Sequence, residues 1–298
     1  MKNPLIILNP AAHSDKAGRL AERLRDLSGG AEIRLSSAAG DAERIACDAI
    51  RNKEGFSSII AAGGDGTINE VVNGIFSAGN PGIPLGILPV GTMNVFAVEL
   101  GIPLNSPEKA WEVIRRGEIS LLDLPVCTTE EGVRCFVQLA GVGLDAEVVR
   151  RTTRESKKAL GPLSYLLSLA QVAGQKPPQI TMESSDGMTR SGSFVLLGNG
   201  RFYGGPFKMF RHGSPNDGLL DVLVFQSQSP WDLLRYMHAI LMGHHGELAD
   251  VEYFQTTSLS LRSEEPVPYE LDGEMAGYLP MSLMLEAASL PVFVPPAN

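Results

Sequence analysis

The stretch SSIIAAGGDGTINEVVNG, residues 57–74, passes from an apolar strand pattern through three glycines and one carboxylate into a helical stripe. Ile68, Val71, Val72, Ile75 and Phe76 recur at i, i+3, i+4, i+7 and i+8, the apolar face of a helix. Gly63, Gly64 and Gly66 permit a tight turn and a close approach of backbone to a ligand. The N-terminus of the following helix offers free N–H groups and the positive end of a dipole, both suited to phosphate. In α/β sheets ligands bind outside the carboxyl ends of the strands, where "SSIIAA" ends. Thr67 and Glu70 equally fit a Thr-x-x-Glu capping box, which needs no ligand. Asp65 is left unexplained by capping. A carboxylate beside phosphates needs Mg²⁺, a ribose hydroxyl or a neighbouring Lys or Arg between them. The stretch has neither the Walker spacing nor Gly-x-Gly-x-x-Gly, so dinucleotide redox chemistry has little support.

Outward from this loop, residues 1–120 alternate strand and helix patterns. "LIIL" (5–8), "AEIRLSS" (31–37), "SSIIAA" (57–62) and "PLGILPVG" (84–91) read as strands. Leu20, Leu24 and Leu27, and then "DAERIACDAIRN" (41–52), read as helices. Such alternation predicts a Rossmann-like parallel sheet covered on both faces. From residue 121 onward short strand signals dominate: "SLLDLPVC", "RCFVQLAG", "QITMES", "GSFVLLGN", "LLDVLVF", "SLSLRS", "VPYELDG" and "MSLMLEA". Ser185-Asp186-Gly187 and Asn216-Asp217-Gly218 punctuate them as turns. Two helices interrupt, near 144–173 and 230–242. The expectation is an α/β domain over 1–120 and an antiparallel β-sandwich over 121–298, the last residues packing back on the first domain, with a ligand cleft between the domains. Trp111, Trp231 and the scattered methionines are expected in the core.

The net charge of −9 argues against general nucleic-acid binding, which relies on Lys and Arg to neutralise phosphates. Cys47, Cys127 and Cys135 are odd in number and lack Cys-x-x-Cys spacing, so neither a disulfide framework nor a structural zinc is suggested. A reducing cytoplasm is the expected home. The weakly polar run 160–173 falls short of the ~20 apolar residues that cross a bilayer, so membrane contact is expected to be peripheral. The basic cluster "RRTTRESKK" (150–158) beside "LSYLLSLAQVA" reads either as a surface for anionic headgroups or as a solvated helix face.

"GGDGTINEVVNG" resembles the signature of the diacylglycerol kinase catalytic family, which includes bacterial lipid kinases and sphingosine kinases. "GGDGT" alone is shared with NAD kinases and, in a close variant, with phosphofructokinases. The wider resemblance runs through Asn9–Pro10, "SSAAGDAERIA" (36–46), "LGILPVGTMNVFAVELGIP" (85–103), "AGVGLDAEVV" (140–149), "GNGRFYGGPFKMF" (198–210), "NDGLLDVLVF" (216–225) and "ELDGE" (270–274), in the family's order. It implies ATP-dependent transfer of a phosphoryl group to a lipid hydroxyl, the acceptor being diacylglycerol-like, phosphatidylglycerol-like or sphingoid. That chemistry asks for a phosphate cradle, a divalent cation, a base and an apolar acceptor site.

The resemblance implies a nucleotide cradle of Asn9, Ser36, Gly63, Gly64, Asp65, Gly66, Thr67, Asn69, Glu70, Gly91 and Thr92, Thr92 serving equally well as the N-cap of the next helix. Lys16 and Arg19 follow the first strand, where a cation meets phosphate or simply faces water. In "LDGE" the implied base is Glu274, with Asp272 as its rival; Asp65 is the third catalytic candidate. Mg²⁺ is implied at Asp217 with the carbonyls of Ser214 and Leu219, Asp123 joining the same network; an Asn-Asp-Gly hairpin is the plain alternative. His13 stands where the family usually has Gly, and Val95 where many members have Asp. An NAD kinase-like enzyme and a non-catalytic nucleotide- or lipid-binding protein are the other readings. The expected partner is a lipid at a membrane surface, with a homodimer left open.

Overall fold

In the computed structural model, which describes residues 3–10, 17–104, 106–151, 176–205 and 207–296, the first four apolar runs are strands of one parallel sheet. β1 (Pro4–Leu8), β2 (Glu32–Leu35), β3 (Ser58–Gly63) and β4 (Leu85–Pro89) lie in the order β2-β1-β3-β4. β1, β3 and β4 are buried along their whole length, as strands covered on both faces must be. α1 (Ala17–Ser28), α2 (Asp41–Arg51) and α3 (Asp65–Ser77) make the crossovers. The first crossover moves towards one edge and the next two towards the other. Right-handed connection therefore sends α1 to one face and α2 and α3 to the opposite face. After a short α4 (Val95–Glu99), α5 (Pro107–Arg116) joins α1.

β5 (Ile119–Thr129) contains both residue 120 and the division between two compact units. One unit is Met1–Leu124 with Glu286–Asn298; the other is Pro125–Leu285. In the second unit follow β6 (Gly132–Cys135), β7 (Leu139–Val142), α6 (Leu144–Arg151), β8 (Ile180–Ser184), β9 (Thr189–Gly192), β10 (Phe194–Gly198), β11 (Phe202–Tyr203), β12 (Phe207–Lys208), β13 (Leu220–Phe225), α7 (Pro230–Met242), β14 (Val251–Thr256), β15 (Ser258–Arg262), β16 (Pro268–Leu271) and β17 (Glu274–Tyr278). β18 (Met281–Phe293) runs from the second unit into the first.

One layer of the sandwich is antiparallel, β14-β13-β10-β7-β16-β17. The other brings together β9, β8, β15 and the start of β18. Alternation along β10 divides its side chains. Val195 and Leu197 enter the core with Val222, Leu259 and Tyr269. Phe194 and Leu196 face a second core with Phe225, Leu233 and Tyr236, under α6 and α7.

Several expectations are corrected. "RCFVQLAG" is two strands, because residues 137–139 turn their N–H groups to the Asp272 carboxylate instead of to a neighbour strand. Ser185-Asp186-Gly187 does join paired strands, β8 and β9. Asn216-Asp217-Gly218 does not make a hairpin: it leads into β13, whose partners are β10 and β14. Trp111 is buried, but Trp231 is 81% exposed. Of the basic cluster, Arg150 and Arg151 pair with Glu147 of their own helix. Residues 152–175, with the rest of that cluster and most of the expected 144–173 helix, lie outside the described residues.

Candidate active site

β1, β2 and β3 each end at or just before a residue of the predicted cradle, and Gly91 lies two residues past β4. Asn9 follows β1 and donates its backbone N–H to Ala62 O at 3.0 Å. Ser36 follows β2, is buried, and donates its backbone N–H to Leu8 O at 3.0 Å. Gly63 ends β3, and Val90, just past β4, donates to its carbonyl at 3.0 Å. The chain order reverses between β1 and β3, the switch point where open α/β sheets bind ligands. There Asn9 Nδ2 donates to Thr67 Oγ1 at 3.0 Å.

Asp65 locks this edge. Its Oδ2 accepts from Val95 N–H at 3.0 Å and its Oδ1 from Phe96 N–H at 3.1 Å, the first two residues of α4. Asn94, in the left-handed region at φ 51°, closes the loop by accepting from Gly91 N–H at 3.1 Å and donating to Gly91 O at 2.8 Å. A Cβ on Gly91 would sit 2.4 Å from Gly64 Cα, so the two glycine turns touch backbone to backbone. Burial pushes the Asp65 carboxyl up from its ordinary value, and the N–H groups of Val95 and Phe96 oppose the shift. Asp65 thus has partners within the protein, the backbone N–H groups of the second loop. Val95 supplies that loop with an N–H donor and a buried side chain.

The capping box is also corrected. α3 begins at Asp65 behind Gly64, two residues before Thr67, and its cap has no side-chain hydrogen bond. Thr67 is taken by Asn9, and Glu70 Oε2 accepts from Ala42 N–H at 3.0 Å at the start of α2. Asn69 accepts from Asn73 one turn along α3. Gly66 lies in the first turn of α3. Thr92 is exposed on the loop and is not the cap of α4, a position held by Asn94. Arg19 is exposed on α1, and Lys16 and His13 lie outside the described residues. The carboxyl edge thus gathers Asn9, Ser36, Gly63, Gly64, Asp65, Thr67 and Gly91, while Asn69 and Glu70 are engaged along α3 and at α2. Asp123, also in the first unit, is buried and accepts from Ala288 N–H at 2.8 Å.

In the second unit Asp272 sits at the tip of the β16–β17 turn with φ 49°. Its carboxylate accepts from Val137, Gln138 and Leu139 N–H at 2.8, 2.9 and 3.1 Å. Glu274, two residues on, is exposed. Asp217 Oδ1 accepts from Leu219 N–H at 3.0 Å, and Ser214 Oγ donates to Asn216 Oδ1 at 2.8 Å. Four residues on, Asp221 is fully buried, and its Oδ2 has no partner among the described residues. Burial, with Asp217 nearby, pushes Asp221 up to about 6, opposed by the Tyr253 hydroxyl that donates to it. No group of three or more His, Cys, Asp or Glu side chains placed to hold a metal ion occurs among the described residues. What this loop offers a hard cation is the exposed Asp217 carboxylate near the orphaned Asp221 oxygen, a donor set that would leave the ion most of its waters.

A third acid cluster escaped the sequence reading. The Tyr203 hydroxyl lies 2.8 Å from Asp145 Oδ2 and 3.1 Å from Glu270 Oε1. One hydroxyl has one proton, so the second contact is satisfied when a carboxyl carries a proton of its own. Burial raises both carboxyls, and Glu270 is raised further by Asp145. Gly273 N–H donates to Glu270 Oε2 at 2.6 Å, tying this cluster to the "LDGE" turn. A Cβ on Gly141 would come within 2.5 Å of Asp145 Oδ2 and 2.7 Å of the Tyr203 oxygen, so β7 is bare where the cluster rests on it. The signal was present in "AGVGLDAEVV", "GNGRFYGG" and "ELDGE", but nothing in one sequence shows that the three segments meet.

The pattern of the "Diacylglycerol kinase catalytic domain" family matches residues 3–127, and that of the "YegS C-terminal NAD kinase beta sandwich-like domain" matches residues 138–294. The chain is 30% identical over 289 residues to a diacylglycerol kinase of Bacillus subtilis, covering 94% of this chain and 92% of the relative. The chain belongs to the diacylglycerol kinase family. The kinase is also 33% identical over 255 residues to an uncharacterised Synechocystis protein, covering 82% of this chain but only 56% of that longer relative. A crystal structure of a diacylglycerol kinase from Bacillus anthracis str. Sterne superposes with a TM-score of 0.76 at 25% identity, over 99% of this chain and 98% of the other. The kinase therefore combines an α/β domain with an antiparallel sandwich, as the resemblance implied.

Proposed function

We propose that this kinase transfers the γ-phosphoryl group of ATP to the hydroxyl of a lipid, diacylglycerol-like, phosphatidylglycerol-like or sphingoid. The observation that carries the reading is the Asp65 clasp, which holds two glycine turns together at the switch point of the parallel sheet. Oriented backbone N–H groups at such an edge suit the ATP phosphates. In this reading Asn9, Ser36, Gly63, Gly64, Gly66, Thr67, Gly91 and Thr92 cradle the nucleotide, and Asp65 acts by fixing their geometry.

The lipid oxygen attacks Pγ, the bond from Pγ to the bridging oxygen of ADP breaks with its electron pair leaving on ADP, and the hydroxyl proton passes to a carboxylate. We assign that base to Glu274. Asp272, its rival, has both carboxylate oxygens engaged by backbone N–H groups. Mg²⁺ is assigned to Asp217 and the carbonyls of Ser214 and Leu219, where it would neutralise phosphate or acid charge.

Labelled ATP offered with diacylglycerol, phosphatidylglycerol, sphingoid bases and NAD tests the reading. Label in a lipid product is expected. Label in NAD alone would replace the reading with an NAD kinase, and ATP binding with no transfer to any acceptor would leave a non-catalytic binding protein.

A further inference from the structure

α7 carries apolar side chains on both sides. Leu233, Tyr236 and Ala239 are buried beneath it, where Leu233 and Tyr236 pack with Phe194 and Phe225. On the opposite side Trp231, Leu234, Leu241 and Met242 are 81, 57, 67 and 66% exposed. Trp231, Leu234, His238 and Leu241 follow the three-and-four spacing of one helix face, and that row holds no Asp, Glu, Lys or Arg. Single exposed apolar residues are ordinary, but a row of them along one helix is not. Phe207, on the neighbouring β12, is also exposed and widens the patch.

We propose that α7 seats the kinase on a lipid bilayer, its Trp231–Leu234–Leu241–Met242 face lying among the acyl chains just beneath the headgroups. The proposal rests on the lipid-kinase reading in one respect: an acceptor with acyl chains has to be met at the membrane.

Size is compatible with a bilayer. The side chains of Trp231, Leu234, Leu241 and Met242 together expose on the order of 500 Å² of apolar surface. An interfacial helix needs one apolar face sunk only ~5–10 Å. Charge agrees. In a chain of net charge −9, three acids around α7 meet two arginines: Arg235 pairs with Asp232 at 2.9 Å and with Asp250, and Arg211 pairs with Glu247 at 3.2 Å. Exposed Lys208, next to Phe207 in sequence, brings the local formal charge to zero. Anionic headgroups therefore meet little repulsion there, and an indole at one end of the row suits the boundary of headgroup and chain.

Vesicles of phosphatidylcholine and phosphatidylglycerol with brominated acyl chains test this on the intact protein. Trp111 is buried and Trp231 exposed, so quenching by the bromines reports on α7. The kinase is expected to float with the vesicles and to be quenched, and Trp231→Phe to keep flotation while losing the quenching. Leu234→Asp with Leu241→Asp is expected to weaken partition roughly tenfold or more. It should slow phosphorylation of vesicle-embedded lipid by a similar factor, and leave a short-chain acceptor in solution unaffected. Should the double variant unfold, Met242→Asp alone is expected to weaken flotation in the same direction. Wild-type protein that neither floats nor is quenched would overturn the proposal. So would variants that float as well as wild type, or a wild-type dimer in sedimentation that the double variant abolishes. Flotation and quenching without phosphoryl transfer would uphold this docking and defeat the kinase reading, so the two fail separately.

Discussion

Asp65 and Asp145 are both carboxyls drawn out of water beside a glycine, and their surroundings differ in kind. Asp65 meets two backbone N–H groups at the start of α4. Asp145 meets a phenol and, through it, a second acid. Fixed dipoles can hold a charge with no proton moving. An acid facing an acid has to share a proton, because two carboxylates cannot both ionise at close range in a buried site. The first arrangement is a clasp for a loop, and the second is a group that titrates. Buried acids are therefore not interchangeable evidence for catalysis, and substitutions should separate them.

The largest effect is expected at a third acid, Glu274, which is exposed and free of either arrangement. Glu274→Gln should lower turnover by about 10²–10⁴-fold, the usual contribution of a general base, with no change in the thermal unfolding midpoint. If Glu274→Gln is active and Asp272→Asn is inactive but folded, the base assignment moves to Asp272.

Asp65→Ala should lower turnover too, less steeply than Glu274→Gln and by another route. It strips the N–H groups of Val95 and Phe96 of their partner, which costs about 1–3 kcal/mol of stability. Denaturant unfolding reads that loss. A fully active Asp65→Ala protein would remove the clasp from the argument.

Gly91→Ala should push the two turns apart, since its Cβ would lie 2.4 Å from Gly64 Cα. Overpacking of this kind costs about 1–3 kcal/mol, and a rise in KM for ATP greater than any fall in kcat would locate the damage in the cradle.

The smallest effect sharpens the comparison most. The folded-state values of Asp145 and Glu270 lie above those of the unfolded chain. The folded protein therefore keeps protons that the unfolded chain releases, and stability falls as pH rises through the folded values. Glu270→Gln removes one of the two acids. Its melting temperature should decline less than that of wild type as the pH is raised above the ordinary carboxylate range. Equal slopes would mean that no proton is shared.

How far the sequence reaches follows the same division. The parallel sheet was readable because β1, β3 and β4 are continuous apolar runs and the loop between β3 and α3 is dense with glycine. The partners of its polar residues were not. Thr67 and Glu70 sit at the spacing of a capping box, yet contacts from Asn9 and Ala42, 58 and 28 residues away, take both. The "LDGE" turn was visible as a motif, but the N–H groups that fill Asp272 come from more than 130 residues earlier. Trp231 misled because periodicity gives α7 two apolar faces and does not say which one is covered.

β18 has a consequence for how the chain comes to be folded. Its last residues belong to the first unit: Val292 pairs with Leu85 of β4, Ala288 N–H fills Asp123, and Asn80 holds the carbonyl of Ser289. During synthesis the first unit emerges early, but the strand that flanks β4 emerges only after all of the second unit. Until then that side of β4 offers open backbone groups to any strand it meets. A fragment stopped at Leu124 keeps the opening for good and should aggregate. A fragment carrying residues 286–296 on a short linker after Leu124 should be the smallest form of the first unit to remain monomeric.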